Sequence, residues 1–146
     1  TDKTGDYIQE RGKEFGATTG RRRRCGWLDM VVVKDSARLN GLDSLAITKL
    51  DVLTGLETLK ICVNYELESE RNNHRPASLK KMGRCTPVYM DMPGWQEDIS
   101  QAREITQLPQ QARAYVEAIE ELAGIPISII SVGAGREETI VVQNLF

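Results

Sequence analysis

The 146-residue sequence predicts an α/β fold with a mostly parallel sheet and flanking helices, and three observations carry that expectation. Two helical stripes with clear stops, at residues 29–40 and 109–124, each precede a short apolar run. Those runs, Ser44–Thr48 and Pro126–Val132, are of the kind buried in a parallel sheet, and helix followed by buried strand, repeated, is its pattern. The composition, 40% hydrophobic and 27% charged, provides one sizeable core and excludes disorder, collagen and coiled coil.

Taken in order, Tyr7–Phe15 sets Tyr7, Ile8 and Phe15 among charges and predicts the end of an amphipathic helix stopped near Gly16. Ala17–Arg24 has no apolar periodicity and reads as a loop. Asp29 is a candidate N-cap for a helix running to Asn40, where Asn40-Gly41 supplies the stop. Ser44–Thr48 predicts a strand. Leu59–Leu67, rich in β-formers, predicts a second, followed by a polar turn over Glu68–Pro76. Val88–Met92 is a further short strand closed by Pro93-Gly94. Pro109–Gly124 is the clearest helix, with Ala112, Tyr115, Val116, Ile119 and Leu122 on one face. Pro126–Val132 and Thr139–Val142 complete the strands.

Several function classes drop out. The longest comparably apolar stretch, Gly124–Gly133, is too short to span a bilayer, which needs roughly eighteen or more residues, and no signal peptide is read. Three cysteines, Cys25, Cys62 and Cys85, without a CxxC pair predict neither a disulfide framework nor a zinc knuckle, and a reducing cytoplasm is the expected compartment. The one histidine, His74, lies in a polar turn with no acid or cysteine near it in sequence and reads as surface. The net charge of −2 is unevenly spread: Arg11–Arg24 holds six basic residues and one acid, whereas Cys85 to the end holds three basic residues and nine acids. With a pI of about 5.5, the chain does not have the dominant basic footprint of a nucleic-acid binder.

Three constellations can carry chemistry. Thr18-Thr19-Gly20-Arg21-Arg22-Arg23-Arg24 puts hydroxyls, a glycine and guanidinium forks in one loop. Such a loop can cradle a carboxylate or phosphate, or it can be a solvated basic loop or polyanion patch. Thr48-Lys49-Leu50-Asp51 follows a buried strand, at the end where ligands bind in open parallel sheets. An aspartate there can accept hydrogen bonds from guanine N1–H and the exocyclic amine together, and it rejects adenine, which has an acceptor at N1. This is the Thr-Lys-x-Asp pattern of GTP-binding proteins; the alternative is an ordinary strand end with a surface Lys and Asp. Ser131-Val132-Gly133-Ala134-Gly135 again follows a strand, and its glycines permit close backbone approach or simply a tight turn. Trp27 and Trp95 read as packing residues, and no Walker-type glycine loop is present.

Together these residues are more specific than any one of them. The run Gly12-x-Glu14-Phe15-Gly16-Ala17-Thr18-Thr19-Gly20-Arg21-Arg22-Arg23-Arg24-Cys25-Gly26-Trp27-Leu28-Asp29, then Thr48–Leu53, Pro93-Gly94-Trp95, Tyr115–Leu122 and Ser131–Gly133, resembles the carboxyl-terminal third of adenylosuccinate synthetase. The likeness covers essentially the whole chain in order. It implies the C-terminal portion of a P-loop-NTPase-like nucleotide-binding fold, with residues 1–41 forming the substrate loop and helices and residues 42–146 the guanine-binding α/β part.

That family joins IMP to L-aspartate with GTP hydrolysis, through a 6-phosphoryl-IMP intermediate, on a Mg²⁺-dependent cytoplasmic homodimer. The resemblance implies that Ala17, Thr18, Thr19, Gly20, Arg21, Arg22 and Arg23 form the loop that closes on aspartate, that Arg21 also touches IMP, and that Arg23 touches GTP. Lys49, Leu50 and Asp51 would hold guanine, and Ser131, Val132 and Gly133 would line the same pocket. Where the family has Pro-Asp-Arg after that glycine, this chain has Ala134-Gly135-Arg136. The resemblance places the phosphate loop, catalytic residues and metal ligands in an amino-terminal part, so the chain is expected to be a fragment or separate domain, inactive by itself, with no partner membrane or nucleic acid. A stand-alone guanine-nucleotide module and a polyanion binder using Arg21–Arg24 are the alternatives.

Overall fold

The computed structural model describes residues 3–143. Its spine is β3, Thr58–Leu67, whose Leu59, Ile61, Cys62 and Tyr65 are buried. β1 (Leu28–Asp29) pairs with it in parallel, through Leu28 opposite Ile61 and Asp29 opposite Cys62. β4 (Glu70–Asn72) and β5 (Thr86–Pro93) pair with it antiparallel, the β5 ladder shifting register between Cys62 and Asn64. A second sheet has β6 (Ile127–Ser131) between β2 (Leu45–Ile47), parallel, and β7 (Thr139–Val141), antiparallel. The chain is therefore mixed α/β in two sheets, and the expected mostly parallel sheet is corrected: of the five strand pairings among the described residues, three are antiparallel. The reason is connectivity, since β3 returns through β4 and β5, and β6 through β7, without a crossover helix.

Local signals set the helices. α2 (Met30–Asn40) begins where the Asp29 carboxylate accepts the Val31 and Val32 N–H groups at 3.1 and 3.2 Å, and ends at Gly41, left-handed at φ 60°, whose N–H reaches the Ala37 carbonyl. α4 (Gln110–Ala123) starts after Pro109 and stops at Gly124, φ 72°, burying Ala112, Tyr115, Val116 and Ile119. α1 (Lys3–Arg11) is shorter than expected at its carboxyl end: the N–H of Gly12 still reaches Ile8, but Lys13 turns left-handed at φ 50°. Phe15 then bridges antiparallel to Arg22 instead of continuing a helix, and it stays 42% exposed because no core faces it there. The polar stretch after β3 contains β4, and a short α3 (Leu79–Met82) precedes β5.

One apolar core, including Met30, Leu50, Ile61, Trp95, Val116 and Ile130, joins both sheets to α2 and α4. Trp95 is buried against Tyr115, ring centroids 6.2 Å apart, and its indole N–H donates to Thr54 Oγ1 at 2.9 Å. Tyr7 of α1 donates to the Thr54 carbonyl at 2.7 Å, so this buried threonine ties the first helix to the core just past the Thr48–Asp51 segment.

Candidate functional site

β2 and β6 run parallel side by side, so the segments that follow them emerge at the same sheet end. After β2, Lys49 takes a left-handed conformation at φ 60°, uncommon for a residue with a Cβ, and Leu50–Leu53 forms one 3₁₀ turn. Several contacts hold Lys49, whose carbonyl accepts the Val52 N–H at 3.2 Å. The Lys49 N–H donates to Ser131 Oγ at 2.8 Å, and its Nζ donates to the Gly12 carbonyl at 2.8 Å and to the Glu14 carboxylate. Leu50 is buried in the core and anchors the turn rather than presenting a polar group. Asp51 has one carboxylate oxygen, Oδ1, buried and without a hydrogen-bond partner. Burial pushes its pKa up; Arg11 and Lys49 act against that, and the Glu138 carboxylate adds to it.

After β6, Ser131–Gly135 folds back on itself. The Val132 N–H donates to the Glu138 carbonyl at 2.9 Å, and the Glu138 N–H to the Gly135 carbonyl at 3.0 Å. The Glu138 side chain in turn accepts the Gly135 N–H at 2.5 Å and lies where a Cβ on Gly133 would be. Val132 is buried, while Ser131 and Gly133 are half-buried, the Ser131 hydroxyl accepting the Lys49 N–H. Glu138 did not stand out in sequence because only the turn brings it back to the glycines.

In the arginine loop, Gly16 N–H donates to the Arg21 carbonyl and Gly20 N–H to the Gly16 carbonyl, both at 2.8 Å, with Gly20 left-handed at φ 63°. Ala17, Thr18, Thr19 and Gly20 stand exposed at the tip. The arginines divide. Arg22 Nε donates to Gln9 at 2.9 Å and its Nη2 to Glu10 at 3.2 Å, with Asp6 at 3.8 Å, so its fork is engaged by α1. Arg23 Nη1 donates to Glu14 at 3.0 Å. The side chains of Arg21 and Arg24 have no ion-pair or hydrogen-bond partner among the described residues. Glu14, whose carboxyl the Lys49 bond first and Arg23 after it hold below the usual glutamate value, thus meets both Arg23 and Lys49.

A cavity of about 490 Å³ opens between β1 and β2, lined by Gly12, Glu14, Cys25, Trp27, Leu45, Ile47, Lys49 and Tyr115 among others. Asp51, Ser131, Gly133 and the tip of the arginine loop do not line it. His74, expected to lack an acid neighbour, faces Asp35 of α2, its Nδ1 3.5 Å from Oδ1, a proximity that only folding creates. It remains largely exposed. Cys25, Cys62 and Cys85 are free thiols. Among the described residues, no three His, Cys, Asp or Glu side chains converge so as to hold a metal ion. No described helix is long and apolar enough to cross a membrane.

A family model described as adenylosuccinate synthetase matches residues 1–140. The chain belongs to the adenylosuccinate synthetase family. It is 61% identical over 145 residues to an adenylosuccinate synthetase of Desulfatibacillum aliphaticivorans and 54% identical to one of Carboxydothermus hydrogenoformans, covering 99% of this chain in each case. It spans 34% of the length of these relatives. Among solved structures, a fully ligated adenylosuccinate synthetase from Plasmodium falciparum superposes with a TM-score of 0.94 at 39% identity, over 98% of this chain and 35% of that one. The resemblance drawn from the Gly12–Asp29 and Thr48–Leu53 motifs therefore holds at the level of the family, and the mixed α/β architecture is that of a solved family member.

Proposed function

We propose that this chain is the carboxyl-terminal third of an adenylosuccinate synthetase, the GTP-dependent ligase that joins IMP and L-aspartate in purine biosynthesis, and that it carries base recognition and the aspartate loop. Within that reading the chain is the C-terminal portion of a P-loop-NTPase-like fold and works in a cytoplasmic homodimer. The phosphate chemistry and the Mg²⁺ ligands are assigned to residues outside these 146.

The observation that carries the reading is the unpartnered, buried Asp51 Oδ1 beside Lys49. A buried carboxylate oxygen without a donor is costly, and guanine supplies two donors in the required geometry, N1–H and the exocyclic amine. The Lys49 stem lies over the base, and Ser131 to Gly133 line its edge, Ser131 being already bonded to the Lys49 N–H. Arg21, with its fork uncommitted, takes an anionic substrate, the aspartate carboxylate or IMP phosphate, near Thr18 and Thr19. Arg22 serves the loop from behind, through α1, rather than the ligand.

The test is calorimetric titration of the chain with GDP and ADP. GDP should bind in preference, weakly because the phosphates lack their loop, and Asp51→Asn should erase most of the preference. Equal binding of GDP and ADP to the unsubstituted chain would defeat the guanine assignment. The chain alone should form no adenylosuccinate from IMP, aspartate and GTP, and turnover by the purified 146-residue protein would overturn the division of labour. A polyanion-binding role for Arg21–Arg24 is disfavoured because Arg22 and Arg23 are already paired with acids of their own chain. It would require nucleic-acid affinity falling with salt at a slope of about 0.7–0.9 per neutralised phosphate.

A further inference from the structure

Glu14 lies at the junction of two segments distant in sequence, the arginine loop, which the proposed function gives to an anionic substrate, and the Lys49–Asp51 turn, which it gives to guanine. Its Oε1 receives Lys49 Nζ, and its Oε2 receives Arg23 Nη1 at 3.0 Å. Its carbonyl accepts the Arg23 N–H and the Gln9 side-chain amide, both at 2.9 Å, and the neighbouring Gly12 carbonyl accepts Lys49 Nζ at 2.8 Å. The Glu14 side chain is only 22% exposed, whereas Lys49 and Arg23 are 48% and 59% exposed. The carboxylate is the anchored partner, and the two cations are the ends that reach solvent. A single carboxylate with both oxygens used cannot release one cation to a ligand without changing its hold on the other.

We infer that Glu14 is a positioning residue which couples the arginine loop to the Lys49–Asp51 turn, so that nucleotide at the turn sets the loop. This rests on the assignment of Lys49 and Asp51 to guanine and adds a role for a residue that touches no ligand itself. Three features of the fold support it. Lys49 is held in a left-handed conformation by bonds on both sides, so its side chain has a fixed origin. Arg23 is tied to Glu14 through both its N–H and its guanidinium, so the loop follows this one residue. Gln9, buried on α1, holds the Glu14 carbonyl and Arg22 together, which gives the junction a rigid backing.

The test is an amide-resolved NMR titration of the full chain with GDP, together with amide hydrogen exchange in the absence of nucleotide. In the unsubstituted chain, amides of Arg21–Arg23 and of Lys49–Asp51 should follow one binding curve. In Glu14→Gln and Glu14→Ala, GDP should bind about three- to tenfold more weakly, and the loop amides should cease to follow the turn amides. A purely structural Glu14 would lower stability without separating the two responses. Without nucleotide, Lys49→Met should accelerate exchange of the Gly20 and Arg23 amides about threefold or more, although that lysine lies outside the loop. Unchanged GDP affinity with loop and turn still responding together in both Glu14 variants, or loop exchange unmoved by Lys49→Met, would overturn the coupling. Failure of the guanine assignment is a separate result, read as equal GDP and ADP responses in the unsubstituted chain, and the exchange measurement then decides the role of Glu14 alone.

Discussion

At Gly133 the requirement for glycine comes from a neighbour: its φ is not left-handed, and the Glu138 carboxylate fills the space of a Cβ. Gly133→Ala should therefore displace Glu138 and break its bond to the Gly135 N–H, costing about 1–3 kcal/mol. Because Glu138→Ala removes the same bond, the double variant should be clearly less destabilised than the sum of the two singles, and denaturant midpoints measure this. Strict additivity would show that Glu138 does not set the loop. Asp51 makes a pH-dependent contribution opposite in sign to that of Glu14, whose carboxyl is held below its usual value. The folded pKa of Asp51 is raised by burial, so over the interval between the ordinary aspartate value and the raised one this group holds more protons in the folded chain than in the unfolded, and its contribution to stability falls as pH rises through that interval. Guanine needs the ionised form, so GDP affinity should run the other way and weaken on acidification before ordinary carboxylates titrate. Asp51→Asn should remove both trends, checked by GDP titration and urea melts across pH 4–7. Asp51 stood out in sequence as a candidate guanine acceptor. Its buried, orphaned oxygen did not, because burial depends on the whole fold.

Among the elements, α2 and α4 match the sequence expectation within a residue or two, since a cap, an apolar stripe and a stop glycine are all local. Asp29 does more than cap. It also accepts the buried Tyr65 hydroxyl of β3, whose pKa rises through burial first and through Asp29 second. Asp29→Ala should thus cost about 2–4 kcal/mol, a lost cap together with an orphaned phenol, whereas Asp29→Asn, which keeps a capping oxygen, should cost markedly less. Equal costs for the two substitutions in chemical denaturation would show that the Tyr65 bond and the cap contribute little. β1, β4 and α3, two to four residues each, escaped the sequence reading. A strand of two or three residues has no period to detect and is defined by its partner; β1 exists because Leu28 and Asp29 lie beside Ile61 and Cys62. The early end of α1 was missed for a related reason, because the Gly16–Arg21 and Glu14–Arg23 bonds that pull the chain out of the helix come from residues further on.

For the whole molecule, α2 links β1 to β2, yet among the described residues β1 pairs only with β3 and β2 only with β6. Between these two free edges lies the 490 Å³ cavity, with Trp27, Leu28, Leu45, Ile47 and Tyr115 in its lining. Unpaired strand edges beside apolar surface recruit further chain. The isolated chain should self-associate with rising concentration in light scattering, and Ala46→Lys, at an exposed position on β2, should suppress this. A monodisperse monomer at high concentration would refute it. The relatives span about three times this length.

By itself the sequence determined α2 and α4 with their stops, the positions of the longer strands and the family, because all of these are encoded in short contiguous stretches; that the Leu45–Ile47 strand is half-exposed rather than buried was decided by its place at a sheet edge. Tertiary structure alone decided strand direction, the assignment of Arg22 to α1 and of Arg23 to Glu14, the return of Glu138 onto the glycines, and the meeting of Lys49 with Glu14. Those pairings join residues from 3 to 35 positions apart through turns and sheet register, and no local pattern records which cation will find which carboxylate.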